Sequence, residues 1–233
     1  MTEATKEGSP VDDDPELLDE SVELDEFDEG GLWEPDLLHP ASQRWHRRTT
    51  IEMIVSGTLG LVASFVLSIE AWQLAGNSAA VFSCDVSKVL SCGAVARTWQ
   101  AHLLGFPNAF LGIFFETIVL VLSVSMLSGV RFPRWIMLGA NGLYSIGLFF
   151  ALWLFTQSYF VIHALCPWCL LITFTTTLVW AGLTRINVRD GHLPAPLAVR
   201  RFVAGGNDWF VTGAFLVVLL AMIVVRYGAG LLG

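Results

Sequence analysis

Residues 51–75 read IEMIVSGTLGLVASFVLSIEAWQLA, a stretch long enough and apolar enough to cross the hydrocarbon core of a membrane as one helix. Such a crossing takes about 20 mostly apolar residues. None of the apolar stretches shows the short alternation of a barrel strand, so each is predicted to be an α-helix that closes its own backbone hydrogen bonds. The predicted fold class is an all-α membrane protein, with further spans at Pro107–Ser128, Trp135–Phe155, Tyr159–Leu183 and Phe210–Leu232.

The composition agrees with a membrane protein, because 54% of the residues are hydrophobic and only 15% are charged, which excludes an ordinary soluble globule. The net charge of −8 is uneven, since 15 of the 21 acidic residues precede Gln43. Residues 1–43 cannot bury enough apolar surface to fold, so they are predicted to be a disordered acidic cytoplasmic tail. Their acidity does not fit a cleavable signal peptide, and the first span would then act as an uncleaved anchor.

The basic residues predict the orientation of the spans, because Lys and Arg in short loops stay on the cytoplasmic side. We therefore expect a multi-pass protein of the cell membrane with a cytoplasmic N-terminus and an outer C-terminus. Residues 44–183 would form a bundle, 184–209 a cytoplasmic linker and 210–233 a fifth transmembrane helix. Nine basic residues then lie inside (Arg44, Arg47, Arg48, Arg131, Arg134, Arg185, Arg189, Arg200 and Arg201) and three outside (Lys88, Arg97 and Arg226).

The longest predicted outer segment, Gly76–Phe106, has serines and glycines among apolar residues and is expected to be folded. Ser91 is a suitable N-cap for a short helix from Cys92 to about Ala101, which Gly105 and Pro107 would end. This helix would cover the outer ends of the spans.

The four cysteines all fall on the predicted outer side. Cys84 and Cys92 form C-x7-C in the loop, and Cys166 and Cys169 form C-P-W-C just inside the outer end of the fourth span. An outer compartment is oxidising, so an even number of cysteines there is expected to form disulfides. A two-residue spacing gives a strained ring that exchanges easily, and a helix N-terminus lowers a thiol pKa, so C-P-W-C is predicted to be redox-active. His163 could add charge or move a proton there, or it could only anchor the chain at the interface.

Other interpretations of the cysteines remain open at this point. They could be inert structural disulfides in a membrane scaffold, or a zinc site, although the spacing of the first pair does not favour metal and no metal ligand is assigned. A transporter would need paired or titratable groups within the spans. Glu116 is interpreted as the lone acid within the membrane, facing the bundle or a proton path.

Three motifs occur together in order: Cys84-Asp85-Val86 through Ser91-Cys92, the helix start Gly105-Phe106-Pro107-Asn108, and C-P-W-C. Together they resemble the vitamin K epoxide reductase family, its bacterial branch in particular, over Arg48 to about Leu183. The resemblance implies an oxidoreductase built as a four-helix transmembrane bundle around a quinone pocket, capped by the outer loop and its short helix, with a fifth helix beyond it.

The resemblance also implies roles for individual residues. Cys166 and Cys169 match the active-site pair, with Cys169 next to the quinone and Cys166 exchanging with a loop cysteine. Cys84 and Cys92 match the shuttle pair. Asn108 matches a polar residue that hydrogen-bonds a quinone oxygen, although it could instead cap the helix that follows.

The remaining candidates for the quinone site are a hydroxyl and several aromatic rings. Thr98 stands where the family commonly has Ser or Thr near the cysteines. Pockets for flat rings are mostly apolar, so aromatic side chains could wall the quinone, although each of them could instead contact lipid. Trp168, between the active-site cysteines, is expected near the reaction by its position alone. The other aromatic candidates are Trp99, Phe106, Phe110 and Phe114.

The expected function is reoxidation of an exported thioredoxin-like thiol oxidase, with electrons passing to a menaquinone- or ubiquinone-type quinone. This would support disulfide-bond formation in secreted proteins. Some bacterial members carry a fused thioredoxin-like domain, whereas this chain stops at Gly233, so the partner is expected to be a separate protein. Membrane lipid is the other expected partner, and nucleic acid is not expected. The alternative is reduction of vitamin K epoxide or quinone as the physiological direction, although Thr173 replaces a Tyr common in vertebrate members.

Overall fold

A computed structural model describes residues 42–231, with side chains as far as Gly228. The predicted acidic tail lies outside these residues except for its last two positions. The helices are, in chain order, α1 (Gln43–Gly76), α2 (Cys92–Ala96), a 3₁₀ helix (Trp99–His102), α3 (Ala109–Leu127), α4 (Arg134–Gln157) continued by a π-helical turn (Ser158–Ile162), α5 (Pro167–Arg189), α6 (Leu197–Ala204) and α7 (Asn207–Leu231).

Five of these helices are long and apolar enough to cross a membrane. They are α1, α3, α4 with its π-helical turn, α5, and α7 over Asn207–Gly228. The described residues contain no strand, only one isolated β-bridge between Leu90 and Leu165. The predicted all-α fold with five spans is therefore confirmed.

The bundle is organised around α1, which packs along α3 and α5, while α4 packs against α5. Helices in lipid associate through close packing, which small residues permit. A Cβ added at Gly112 in α3 would lie 2.9 Å from the Cβ of Ser64 in α1, closer than real Cβ contacts. These two small residues thus fix the distance between α1 and α3. The core between the helices contains Met53, Val119, Met137, Tyr144, Val179 and Leu183.

The fourth span starts later than the sequence predicts, so the predicted range Tyr159–Leu183 is wrong at its beginning. Residues 158–162 continue α4, His163 takes a left-handed φ of 59°, and α5 begins only at Pro167. Proline suits the first helical position because its missing N–H is not needed there. The apolar run across this junction hides the break from hydropathy. As a result Cys166 lies at the N-cap of α5 rather than inside a helix.

The segment 77–108, here called the cysteine loop, folds back onto the start of α5. Ser91 caps α2 as expected, since its Oγ accepts a hydrogen bond of 3.0 Å from Ala94 N–H. The single short helix predicted to reach about Ala101 is instead two pieces, α2 and the 3₁₀ helix. Ser91 N–H donates to Leu165 O at 3.0 Å and Leu165 N–H donates to Val89 O at 2.7 Å. These bonds attach the loop to the residue that precedes Cys166.

The predicted linker 184–209 contains the end of α5 and the helix α6. Arg185 Nε pairs with Asp208 Oδ2 at 2.8 Å, which joins α5 to the start of α7. Farther along α7, Tyr227 Oη donates to Tyr159 O at 2.8 Å. The fifth span is thereby held against the bundle near both of its ends.

Candidate active site

Cys84 and Cys92 form a disulfide within the cysteine loop, and both residues are buried. Phe82 and Cys166 belong to the same buried cluster, and Trp168 packs against it. The three cysteines of this cluster are at most 7% exposed. Thiol exchange among them is therefore shielded from competing reactions in solvent.

The carboxylate of Asp85 shapes the loop around this disulfide. Its Oδ1 accepts hydrogen bonds from the Ser91 hydroxyl at 2.7 Å and from Gly93 N–H at 2.8 Å. Its Oδ2 accepts from Phe82 N–H at 2.9 Å. Burial alone would raise the pKa of Asp85, but these hydrogen bonds and the charge of Arg97 hold that pKa below its usual range. Asp85 thus acts as an ionised anchor for both ends of the disulfide segment.

Cys166 is the point where the loop pair meets the C-P-W-C pair. Its Sγ lies 3.3 Å from Cys92 Sγ, although no bond joins them. It also caps α5, accepting a hydrogen bond of 3.4 Å from Cys169 N–H. The hydrogen bond from the Cys169 side chain is the main cause that lowers the pKa of the Cys166 thiol, against the opposing effect of burial. Cys166 is therefore the thiol best suited to ionise and exchange with Cys92.

Cys169 lies on the first turn of α5 and faces a cavity inside the bundle. The cavity holds about 160 Å³ and is lined mostly by apolar side chains. Cys166 also lines it, so the C-P-W-C pair connects the loop disulfide with the interior of the bundle. Other residues at the cavity include Asn108, Phe115, Glu116, Tyr144, Phe150 and Phe155.

Asn108 lies at the N-terminus of α3 but does not cap the helix with its side chain. Instead Nδ2 donates to Gln100 O at 2.6 Å, and Oδ1 is buried without a partner among the described residues. A buried amide oxygen without a hydrogen bond costs about 1–3 kcal/mol. Asn108 therefore presents an unsatisfied acceptor at a cavity that could receive a polar ligand group.

Other residues proposed from the resemblance lie outside the cavity lining. The Thr98 hydroxyl donates to Val95 O at 2.7 Å. Phe110 and Phe114 are 44% and 56% exposed, and Trp168 packs on the sulfur cluster. A direct role of these four in binding a quinone stays a prediction. Trp99 and Phe106 are also exposed, as is His163.

Two functional candidates were not found from the sequence. Glu70, near the end of α1, places Oε1 3.3 Å from Cys84 Sγ. Tyr144 in α4 donates to Glu116 Oε2 at 3.0 Å beside the cavity. The expectation that Glu116 is the lone acid within the membrane is wrong, because Glu52 and Glu70 also lie in α1. An acid three-quarters of the way along an apolar span, ahead of a cysteine loop, was the signal available for Glu70.

Glu70, Cys84 and Cys92 also bring one carboxylate oxygen and two sulfurs within 4.8 Å of one another. Metal ligation by cysteine requires thiolates. The two sulfurs are joined in a disulfide, so this arrangement offers redox chemistry rather than a thiolate metal site.

The comparisons with known proteins agree with this geometry. A model of the vitamin K epoxide reductase family matches residues 51–183, a region that includes all four cysteines, Asn108 and all the residues that line the cavity. No curated protein matches the chain. Since the family match covers more than half of the sequence, this chain belongs to the vitamin K epoxide reductase family of membrane oxidoreductases.

Proposed function

We propose that the protein reoxidises a separate, exported thioredoxin-like thiol oxidase and passes the electrons through its two cysteine pairs to a quinone. The family acts with thiols and quinones in membranes. The observation that best supports this proposal is the 3.3 Å distance between Cys92 Sγ and Cys166 Sγ. Cys92 belongs to the closed loop disulfide, and Cys166 belongs to the C-P-W-C pair, whose thiols are free. A relay needs this contact, whereas two inert structural disulfides do not.

The proposed relay proceeds by thiol–disulfide exchange. A dithiol partner reduces the Cys84–Cys92 disulfide and becomes a disulfide itself. The Cys92 thiolate then attacks Cys166 in an oxidised Cys166–Cys169 pair, so that a Cys92–Cys166 bond forms and Cys169 leaves as thiolate. Cys84 attacks Cys92, restores the loop disulfide and releases Cys166. The net result is a reduced C-P-W-C pair with Cys169 facing the cavity.

The cavity fits a quinone headgroup in its chemistry. Quinone-type ligands need apolar walls with a few polar groups, and Phe115, Phe150 and Phe155 line this cavity together with Asn108. A bound quinone would supply a two-electron, two-proton acceptor. The unsatisfied Oδ1 of Asn108 can accept a hydrogen bond from a hydroxyl of the quinol, the reduced form of the ligand, and Glu116 with Tyr144 can hold protons at the cavity. Menaquinone and ubiquinone both carry a quinone ring that accepts two electrons and two protons.

The orientation is part of the same proposal. All four cysteines lie at one end of the bundle, and with nine basic residues on the other side against three, that end faces outward. An outer location places the loop disulfide where exported thiol oxidases work. The bacterial branch of the family, which supports disulfide formation in secreted proteins, fits this arrangement.

The deciding experiment follows quinone absorbance in purified full-length protein supplied with a reduced thioredoxin-like protein, and with dithiothreitol as a small dithiol control. Quinone-dependent oxidation of the dithiol that disappears in Cys169→Ser would support the relay. Full activity in Cys169→Ser would exclude Cys169 as the electron exit. Vitamin K epoxide offered in place of quinone tests the opposite direction, and turnover of the epoxide alone would make a reductase the better assignment.

A further inference from the structure

Glu70 is a buried carboxyl group that touches the loop disulfide. Glu70 is only 6% exposed, and its Oε1 lies 3.3 Å from Cys84 Sγ. Its other oxygen, Oε2, is buried with no hydrogen-bond partner among the described residues. A buried carboxylate that is neither paired nor hydrogen-bonded is strongly disfavoured. Packing alone does not account for an acid at this position.

The state of the disulfide decides which group can donate in this contact. Cys84 Sγ carries no hydrogen while it is bonded to Cys92. The contact is then a hydrogen bond only if the Glu70 carboxyl is protonated and donates to the sulfur. When the disulfide opens, Cys84 becomes a thiol or thiolate, and the same contact can carry a proton in either direction.

The surroundings favour a neutral carboxyl beside the closed disulfide. The ionisable groups near Glu70 are Asp85 from the cysteine loop, Cys166 at the N-cap of α5 and Cys169 in the first turn of α5. All three are anionic when charged, and like charges disfavour a further negative charge nearby. Asp85 is engaged with the loop backbone and does not compete for the proton.

Glu70 also takes part in a cleft on the surface of the bundle, separate from the quinone cavity. An open cleft on the surface is lined by Glu70 together with Gln73 and Ser83. Glu70 thus contacts the sulfur of Cys84 and also lines a surface cleft at the same end of the bundle.

We propose that Glu70 is a catalytic acid–base group for Cys84, an inference that rests on the proposed relay. As Cys84 attacks Cys92 in the Cys92–Cys166 mixed disulfide, the Cys84–Cys92 bond forms and the Cys92–Cys166 bond breaks. Cys166 leaves as thiolate, and the proton of the Cys84 thiol passes to the Glu70 carboxylate. In the reverse step Glu70 protonates the departing Cys84 thiolate. One disulfide bond forms as another breaks, so the step needs no further oxidant.

The test compares Glu70→Gln with wild type in the full-length protein, with dithiothreitol as electron donor and a short-chain ubiquinone as acceptor. Turnover near neutral pH should fall roughly 10²-fold, a usual contribution of general acid–base catalysis. After rapid thiol blocking, mass spectrometry should find the Cys92–Cys166 disulfide accumulated in the variant. The deficit should shrink above about pH 8.5, where a cysteine thiol ionises without help.

Two further variants distinguish an acid–base role of Glu70 from a purely structural role. Glu70→Asp keeps the carboxyl and should retain most of the turnover, while Glu52→Gln removes an acid from the opposite end of α1 and should leave turnover unchanged. Equal losses in Glu70→Asp and Glu70→Gln would overturn the inference. So would a deficit in Glu70→Gln that does not vary with pH, or the absence of the trapped mixed disulfide.

Infrared spectroscopy of the unaltered protein tests the role of Glu70 independently of quinone reduction. Infrared difference spectra between the closed and the reduced loop disulfide should show loss of one protonated-carboxyl band on reduction, as the proton moves from Glu70 to Cys84. If wild type fails to reduce quinone with dithiothreitol, the relay is wrong, but this band still tests Glu70. A carboxyl signal unchanged by reduction would overturn the role of Glu70 even with the relay intact.

Discussion

Cys92 and Cys166 bring their sulfur atoms to 3.3 Å of each other across 74 positions of sequence. The hydrogen bonds of Ser91 and Val89 with Leu165 hold the two segments together next to these cysteines. The contact is therefore a product of backbone pairing and not of a chance side-chain rotamer. It brings the loop pair within reach of the pair that faces the cavity.

This contact predicts which loop cysteine can form a disulfide with Cys166. In a Cys84→Ser/Cys169→Ser variant, mild oxidation should join Cys92 to Cys166 in high yield, because the two sulfurs need to move little to reach bonding distance. Mass spectrometry of tryptic peptides measures the yield. The matched control, Cys92→Ser/Cys169→Ser, leaves Cys84 and Cys166 and should cross-link poorly. A higher yield in the control would mean that Cys84, not Cys92, exchanges with Cys166.

Asp85→Asn is expected to loosen the cysteine loop. The carboxylate accepts three hydrogen bonds, from Phe82, Ser91 and Gly93, and an amide cannot accept all of them. Hydrogen bonds to a charged group contribute about 1.5–3 kcal/mol, so the loop should lose stability on that order. Amide hydrogen exchange at Gly93 measures this loss. Lys88→Ala, an exposed change in the same loop, should leave that exchange rate unaltered.

The lowered pKa of Asp85 also fixes the direction of the pH dependence. A carboxyl whose pKa is depressed by folding contributes stability above its unfolded value of about 3.9 and loses that contribution as the pH falls through the folded pKa. Protection of the Gly93 amide should thus decline in acid below about pH 4 in wild type. Asp85→Asn should lack this decline, and an identical acid response in both proteins would contradict the prediction.

The sequence predicted the number of spans and the grouping of the cysteines, because hydropathy and spacing are local properties of the chain. It misplaced the start of α5, since the residues around His163 are as apolar as those within the neighbouring helices. The break depends on the left-handed backbone of His163 and on Pro167 at the first helical position. Hydropathy does not report either property.

Contacts between distant segments were harder to predict. Glu70 meets Cys84 only because the cysteine loop folds back over the end of α1. Phe110 and Phe115 are both in α3, and only the rotation of that helix decides that Phe115 faces the cavity while Phe110 is exposed. Both features follow from tertiary packing, which single-sequence patterns do not determine.

The close approach of α1 and α3 predicts a difference between two glycines. Gly112→Ala should destabilise the protein by about 1–3 kcal/mol, since its Cβ would lie 2.9 Å from the Cβ of Ser64, a packed backbone-linked atom that cannot rotate away. Gly139→Ala in α4 meets nothing within 4 Å and should be neutral or slightly stabilising. Thermal unfolding in detergent measures both. Comparable melting temperatures for the two variants would show that α1 and α3 have room to separate.

The position of the aromatic rings predicts which of them affects quinone use. Phe115 lines the cavity and packs edge-on against Tyr144 with ring centroids 6.1 Å apart, whereas Phe110 is 44% exposed and stacks on Phe106. Phe115→Leu should raise the KM for a short-chain quinone about tenfold, which corresponds to about 1.4 kcal/mol of lost binding. Phe110→Leu should change it much less, and neither variant should alter exchange between the cysteine pairs. A larger effect of Phe110→Leu would instead support the role that the family resemblance suggested for that ring. The quinone would then bind on the exposed face of α3, away from the cavity.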